Sequence, residues 1–131
     1  MGNRENDLLL KGKFSVLIVE DDVYSIKLLH VYLKNITSNL YDAKTASDAI
    51  EIMHTRTIDM VLLDLKLPDK NGVELLQEIK TAFPSTIVIG QSGSYRDIDI
   101  TEMEKAGSDD FIEKPVSQEI FKTVLAKFIQ L

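Results

Sequence analysis

There is no cysteine in the 131 residues, so neither a disulfide nor a thiolate metal site is available, and a reducing compartment, by default the cytoplasm, suits the chain. Long hydrophobic runs are missing too: nothing approaches the length that crosses a bilayer, and Leu8-Leu9-Leu10 is too short for the core of a signal peptide. Basic residues are in the minority. Fifteen Lys and Arg stand against 21 Asp and Glu, a formal charge of -6, with no Lys/Arg stripe to displace counterions from a phosphate backbone. These shortages argue against nucleic acid and membrane as partners of this segment and leave proteins or cations. The hydrophobic share, 44%, belongs to a globular protein, and the length to one ordinary domain with one core.

What the chain does have is apolar runs that stop on acid. Met60-Val61-Leu62-Leu63 ends at Asp64, and Phe14-Ser15-Val16-Leu17-Ile18-Val19 ends at Glu20-Asp21-Asp22. Unbroken apolar runs of this length fit strands buried on both faces, as in a parallel sheet covered by helices. Such strands deliver their last residues to the carboxyl edge of the sheet, where open α/β sheets keep their ligand sites. After Asp64, Pro68 stiffens the loop and Gly72 is expected to give it turn freedom.

Between the runs the apolar period becomes helical. Ile26, Leu29 and Leu33 mark a helix over 23–35, with Asp21 or Asp22 as its cap; Ala46, Ala49, Ile50 and Met53 mark a second behind Ser47 and Asp48; Val73, Leu76, Ile79 and Phe83 mark a third that Pro84 stops. Further strands are expected at 41–45, 86–89 and 110–113. A fourth helix is expected to start late, because Asp99 with Glu102 and Thr101 with Glu104 read as capping boxes, and to end at Gly107. Its Ile98, Ile100 and Met103 suit either core or a docking surface. Phe121, Val124, Leu125 and Phe128 predict a last helix running to the C-terminus. Residues 1–12 read as a flexible lead-in or linker remnant, and 13–131 as a single domain. Five strands alternating with five helices imply a doubly wound α/β sandwich with a five-stranded parallel sheet of order 2-1-3-4-5. In that order the first and third strands are neighbours, and Glu20, Asp21 and Asp64 converge in the crevice between their carboxyl ends.

Three carboxylates in one crevice raise one another's pKa unless a cation is present. An all-oxygen set suits Mg²⁺, or Mn²⁺, with positions left open for phosphate oxygens. A carboxylate beside such an ion is suited to attack phosphorus, with a lysine to absorb charge on the phosphoryl oxygens. Lys114, after the fifth strand, is placed for that task, and Ser92, after the fourth, to offer its hydroxyl.

Four separated motifs agree in order and spacing: Val19-Glu20-Asp21-Asp22; Asp64-Leu65-Lys66-Leu67-Pro68 with Gly72; Ser92-Gly93; and Phe111-Ile112-Glu113-Lys114-Pro115. Together, over Phe14 to Leu131, they resemble the receiver domain of two-component response regulators. That resemblance implies a flavodoxin-like (βα)5 three-layer sandwich and a signalling phosphoacceptor, not an enzyme. It makes Asp64 the phosphoacceptor and Glu20 and Asp21 the acids that hold Mg²⁺ together with Asp64 and the Lys66 backbone carbonyl. It further makes Ser92 the switch hydroxyl, Lys114 the phosphate-pairing lysine before a cis proline, and Phe111 the rotating aromatic of a face built from the fourth helix, fifth strand and fifth helix. The implied donor is a histidine kinase or histidine phosphotransfer domain, with the downstream protein open. The chain is then a free-standing receiver or one cut from a hybrid sensor histidine kinase. Gly93 where relatives carry Ala, Gly90 inside an apolar strand and Leu67 for Met depart from the pattern and are expected to loosen the mouth formed by Gly90-Gln91-Ser92-Gly93-Ser94.

Each residue also has a plainer use. Asp22 reads as a helix cap, Ser92 as a turn residue, Lys114 as a solvated loop lysine, Phe111 as a core aromatic, and His30 and His54 as surface or boundary residues. A rival function is a Mg²⁺-dependent phosphohydrolase with an aspartyl nucleophile, but such enzymes want a second acid two residues on, where this chain has Lys66. A flavin or nucleotide binder lacks its Gly-rich loop after Val19.

Overall fold

The computed structural model describes residues 9–10, 12–93 and 97–131, the side chains of 97–99 excepted. Alternation within each apolar run builds the core. β2 (Ser15–Val19) and β4 (Met60–Asp64) are buried along their whole length. Val16, Ile18, Met60 and Leu62 face one cluster, while Leu17, Val19, Val61 and Leu63 face the other. A strand with two dry faces has to be covered on both, so helices must lie above and below the sheet. α1 (Val23–Leu33) and α5 (Gln118–Leu125) cover the first cluster, and α2 (Ala46–Thr55), α3 (Gly72–Ala82) and α4 (Asp97–Ala106) the second.

With β3 (Asn39–Ala43), β5 (Ile87–Ser92) and β6 (Asp110–Glu113), the five long strands pair in parallel in the order β3-β2-β4-β5-β6. Counted without the short β1, this is the predicted 2-1-3-4-5, the flavodoxin-like arrangement. The switch in winding falls between β2 and β4, whose register pairs Val19 with Leu63. The next residues along these two strands are Glu20 and Asp64.

Some expectations need correcting. β3 begins at Asn39 and ends at Ala43, because it pairs residue by residue with Ser15 to Val19. Thr45, expected at the end of that strand, instead caps α2 by accepting the Asp48 N–H at 3.1 Å. The late start of α4 also fails: it begins at Asp97, so Asp99 and Thr101 are helical residues. Their three-residue spacing to Glu102 and Glu104 is equally that of surface neighbours within a helix. Its end is as expected, with Gly107 at φ +103, Gly107 N–H on Glu104 O at 3.1 Å and Ser108 N–H on Met103 O at 3.0 Å, a Schellman closure. The last helix stops at Leu125. After it β7 (Ile129–Gln130) pairs in parallel with β1 (Leu9–Leu10), and Leu9 N–H donates to Phe128 O at 2.6 Å. Two residues of the predicted lead-in thus hold the final turn extended; residues 1–8 and 11 lie outside the described residues.

Gly90 does not open a gap. A Cβ there would lie 1.3 Å from Met103 Cε and 2.9 Å from its Sδ, so the fully buried Met103 side chain already fills the space. β5 runs through Gly90 to Ser92, which places the first three residues of the predicted mouth inside a strand; Ser94 lies outside the described residues. Among the described residues, the nearest atom to a Cβ on Gly93 would be Lys114 Cβ at 3.9 Å, an ordinary contact. Of the other apolar residues of α4, Ile100 is half-buried and the side chain of Ile98 lies outside the described residues.

Candidate functional site

Each acid is held by the end of a buried strand. Glu20 follows β2, donates its N–H to Ala43 O at 2.9 Å and is fully buried, with Oε2 accepting the Asp22 N–H at 3.1 Å. Asp64 closes β4, buried, with Oδ1 accepting the Lys66 N–H at 3.3 Å. Asp21 is exposed beside them. One carboxylate oxygen from each of the three lies within 4.8 Å of the others. The convergence read from strand order is therefore present. Asp22 is the cap of α1, accepting from Ser25 N at 3.0 Å and from the Ser25 hydroxyl at 2.7 Å, and these bonds hold its carboxyl below the usual range.

Lys114 enters from the far side. Its Nζ donates to Glu20 Oε1 and lies 3.6 Å from Asp64 Oδ2, so one ammonium bridges two of the three carboxylates. Its N–H donates to Ser92 O at 2.9 Å, and its bond to Pro115 is cis. The Tyr32 hydroxyl, donating to Val116 O at 2.8 Å, secures the same turn. Burial pushes the Glu20 carboxyl above its ordinary pKa; Asp64 adds to the shift, while the bonds from Lys114 and the Asp22 N–H oppose it. Three carboxylates against one ammonium leave an excess of negative charge when all are ionised.

Ser92 is the last residue of β5, one step beyond Gln91, which pairs with Asp64, and it is buried. Phe111 pairs with Gly90 and is half-buried, with Cδ1 3.8 Å from where a Gly90 Cβ would be. Lys66 is exposed, on the loop after Asp64, and pairs across it with Asn71. That loop is closed by Gly72 N–H on Leu65 O at 3.0 Å. Gly72 is required for space, since a Cβ would come within 2.5 Å of Leu65 Cα; the expected turn freedom is not its use, and its φ is not positive. His30 makes a 2.7 Å contact with Asp42, and the His54 ring lies 5.4 Å from that of Phe83.

Sequence reading missed Asp69. Its two oxygens accept the N–H groups of Ala46 and Ser47 at 2.8 and 3.1 Å, a cap on α2 supplied by the loop that follows the candidate acceptor, and its carboxyl is held below the usual range by them. Partners 23 and 22 residues away leave no local pattern to find. Gln91 was read only as part of the strand-end mouth, and among the described residues its buried amide has no hydrogen-bond partner.

The family model described as "Response regulator receiver domain" matches residues 16–126. A cyclic di-GMP phosphodiesterase of Thermotoga maritima is 36% identical over 109 residues, 82% of this chain and 29% of that protein. The autoinducer 1 sensor kinase/phosphatase LuxN of Vibrio campbellii is 28% identical over 115 residues, 88% of this chain and 13% of that protein. The chain thus spans less than a third of either relative's length. Among solved structures, the BeF3-activated receiver domain of DrrB, a Thermotoga maritima protein, superposes with a TM-score of 0.81 at 27% identity, over 88% of this chain and 96% of the other.

Proposed function

The chain belongs to the response regulator receiver domain family, the phosphoacceptor module of two-component signalling, and from that membership we propose that Asp64 takes a phosphoryl group from the phosphohistidine of a histidine kinase or histidine phosphotransfer domain. The observation that supports it is the bridging ammonium: Lys114 reaches both Asp64 and its buried neighbour Glu20 at the sheet's switch point. An Asp64 oxygen bonds phosphorus as the P–N bond to the donor imidazole breaks, and the imidazole nitrogen leaves with the electron pair. Lys114, already 3.6 Å from Asp64 Oδ2, lies within reach of a phosphoryl oxygen added there.

The donor set fits a hard divalent cation: carboxylate oxygens only, within 4.8 Å, with negative charge to spare. Glu20, Asp21 and Asp64, with the Lys66 carbonyl, would hold Mg²⁺ or Mn²⁺. When bound, it would offset charge on the transferring phosphoryl oxygens. Added negative charge on Asp64 draws the Ser92 hydroxyl and Lys114 inward, and Phe111 follows toward Ser92, repacking the face of α4, β6 and α5 where a downstream protein reads the change. The phosphohydrolase reading gains no support: the position it needs as a second acid is the exposed Lys66. No helix among the described residues is long and apolar enough to cross a membrane, and the cysteine-free chain suits the cytoplasm; on this reading it works there, alone or as part of a longer signalling protein such as a hybrid kinase.

The test is intact mass after incubation with a small-molecule phosphodonor and Mg²⁺. One phosphoryl adduct is expected on the parent, and none on Asp64→Asn or when the cation is chelated. An adduct that survives Asp64→Asn refutes the assignment.

A further inference from the structure

β5 turns alternate residues to opposite faces of the sheet, and Ile87 and Ile89 enter the cluster covered by α1 and α5. Gln91 continues that row. It is 1% exposed, and both its amide oxygen and its amide nitrogen are buried without a partner. Buried polar groups are nearly always paired, so an amide with neither bond made demands a reason.

Beside it lies a cavity of about 220 Å³, walled by Leu28 and Leu29 of α1, by Pro115 and Val116, and by Gln91, with Tyr24 at its rim, 82% exposed. Of its other polar residues, Tyr24 is turned largely to solvent, and Ser25 and Lys114 are already committed. The Ser25 hydroxyl donates to Asp22 at 2.7 Å, and the Lys114 ammonium is engaged by Glu20 and Asp64. The Gln91 amide is thus the buried, uncommitted polar group of the chamber. The last torsion of a glutamine is broad and soft, so turning the amide toward the cavity costs little.

We propose that this cavity is a binding site for a small, uncharged, planar molecule with a cis-amide edge, of the lactam or pyridone type. A primary carboxamide presents N–H and C=O side by side, and a lactam edge returns C=O and N–H in the same spacing, so both orphaned atoms are satisfied by one ligand. Net charge on the ligand is disfavoured, because Leu28, Leu29, Pro115 and Val116 offer it no partner and the Lys114 ammonium is already engaged by Glu20 and Asp64. The volume lies below the roughly 300–1,000 Å³ of drug-sized pockets, which limits the ligand to about one ring. The site is on the α1 side of the sheet and shares Lys114 with the acid crevice.

The probes are 2-pyridone and benzene, titrated into the ¹⁵N-labelled chain and followed by NMR. Expected for 2-pyridone are shifts of the Gln91 side-chain NH2 pair and of the Leu28 and Val116 amides, with benzene binding at least tenfold more weakly. Gln91→Leu is expected to reverse that order, and Gln91→Met, nearly isosteric, provides the same comparison should the leucine variant misfold. Both variants should melt above the parent, because each removes an unpaired buried amide. Equal binding of the two probes, no shift with either, or a pyridone preference that survives both substitutions overturns the proposal. So does an NH2 pair that exchanges only with internal water and is not displaced by 2-pyridone.

Discussion

Replacing Gly90 with alanine puts a methyl group where Met103 Cε now sits, 1.3 Å from it, with Sδ only 2.9 Å away. One of the two must move. Met103 is fully buried between β5 and α4, so its thioether can leave only by adopting a poorer rotamer or by lifting α4. Overpacking of this kind costs about 1–3 kcal/mol, and the flexible end of methionine keeps Gly90→Ala in the lower part of that range, ~1–2 kcal/mol. Met103→Ala alone empties the same space and should cost ~2–4 kcal/mol, within the range for buried Met to Ala. The double variant fills the space with the new methyl, so its cost should fall short of the sum by at least about 1 kcal/mol, as contacting residues do. Urea unfolding at constant m measures this: ~1–2 kcal/mol corresponds to a midpoint lowered by roughly 0.5–1 M for a small domain. Additivity within about 0.5 kcal/mol would refute the argument, since it would mean that Met103 and residue 90 do not share the space the coordinates give them.

Lys114→Met, studied without divalent cations, leaves the buried Glu20 without its counter-ion and should cost up to ~3 kcal/mol near neutral pH, the low end for a broken buried pair because Lys114 keeps some solvent contact. The sign follows from Glu20, whose pKa is already raised above 4.5 by burial and loses the opposing bond in this variant. The folded state then holds a proton that the unfolded chain has released, so the deficit is smallest below pH 4.5 and grows as pH rises through the raised value; stability curves of Lys114→Met and Lys114→Met/Glu20→Gln that share one pH slope would contradict this. Asp69→Ala removes both bonds to the start of α2 and should lower stability at neutral pH. Because the Asp69 carboxyl is depressed below 3.8, that contribution persists above pH 3.8 and disappears as pH falls through the depressed value, so parent and variant melting curves should converge in acid. Gly72→Ala forces a Cβ against the Leu65 backbone at 2.5 Å and should displace the loop after Asp64, costing ~1–3 kcal/mol and slowing phosphodonor labelling, as read by the intact-mass time course.

The doubly wound sheet could be read from the chain because its determinants are local in sequence. A run such as Met60 to Leu63 or Val16 to Val19, apolar on both alternate sets, has to be covered on two sides, and helical periods stand between such runs to do it. The acid crevice was legible for the same reason: Glu20 and Asp64 are the first residues past two such runs, and the strand order makes those runs neighbours. The second strand was the hardest to bound, since Asn39 to Ala43 is mostly exposed or half-buried and its limits are set by pairing with β2. Its sequence contains no record of that register.

By itself the sequence determined the layers and the identity of the residues at the strand ends, because strand and helix periods and acids at strand ends are properties of neighbouring residues. Only the tertiary structure decided that Lys114 bridges Glu20 and Asp64, that Asp69 caps a helix more than twenty residues upstream, that Met103 fills the place of a Gly90 side chain, and that the Gln91 amide is left unpaired beside a cavity. Each of these joins groups far apart along the chain. Distance and available volume, which no local pattern encodes, settle which of them meet.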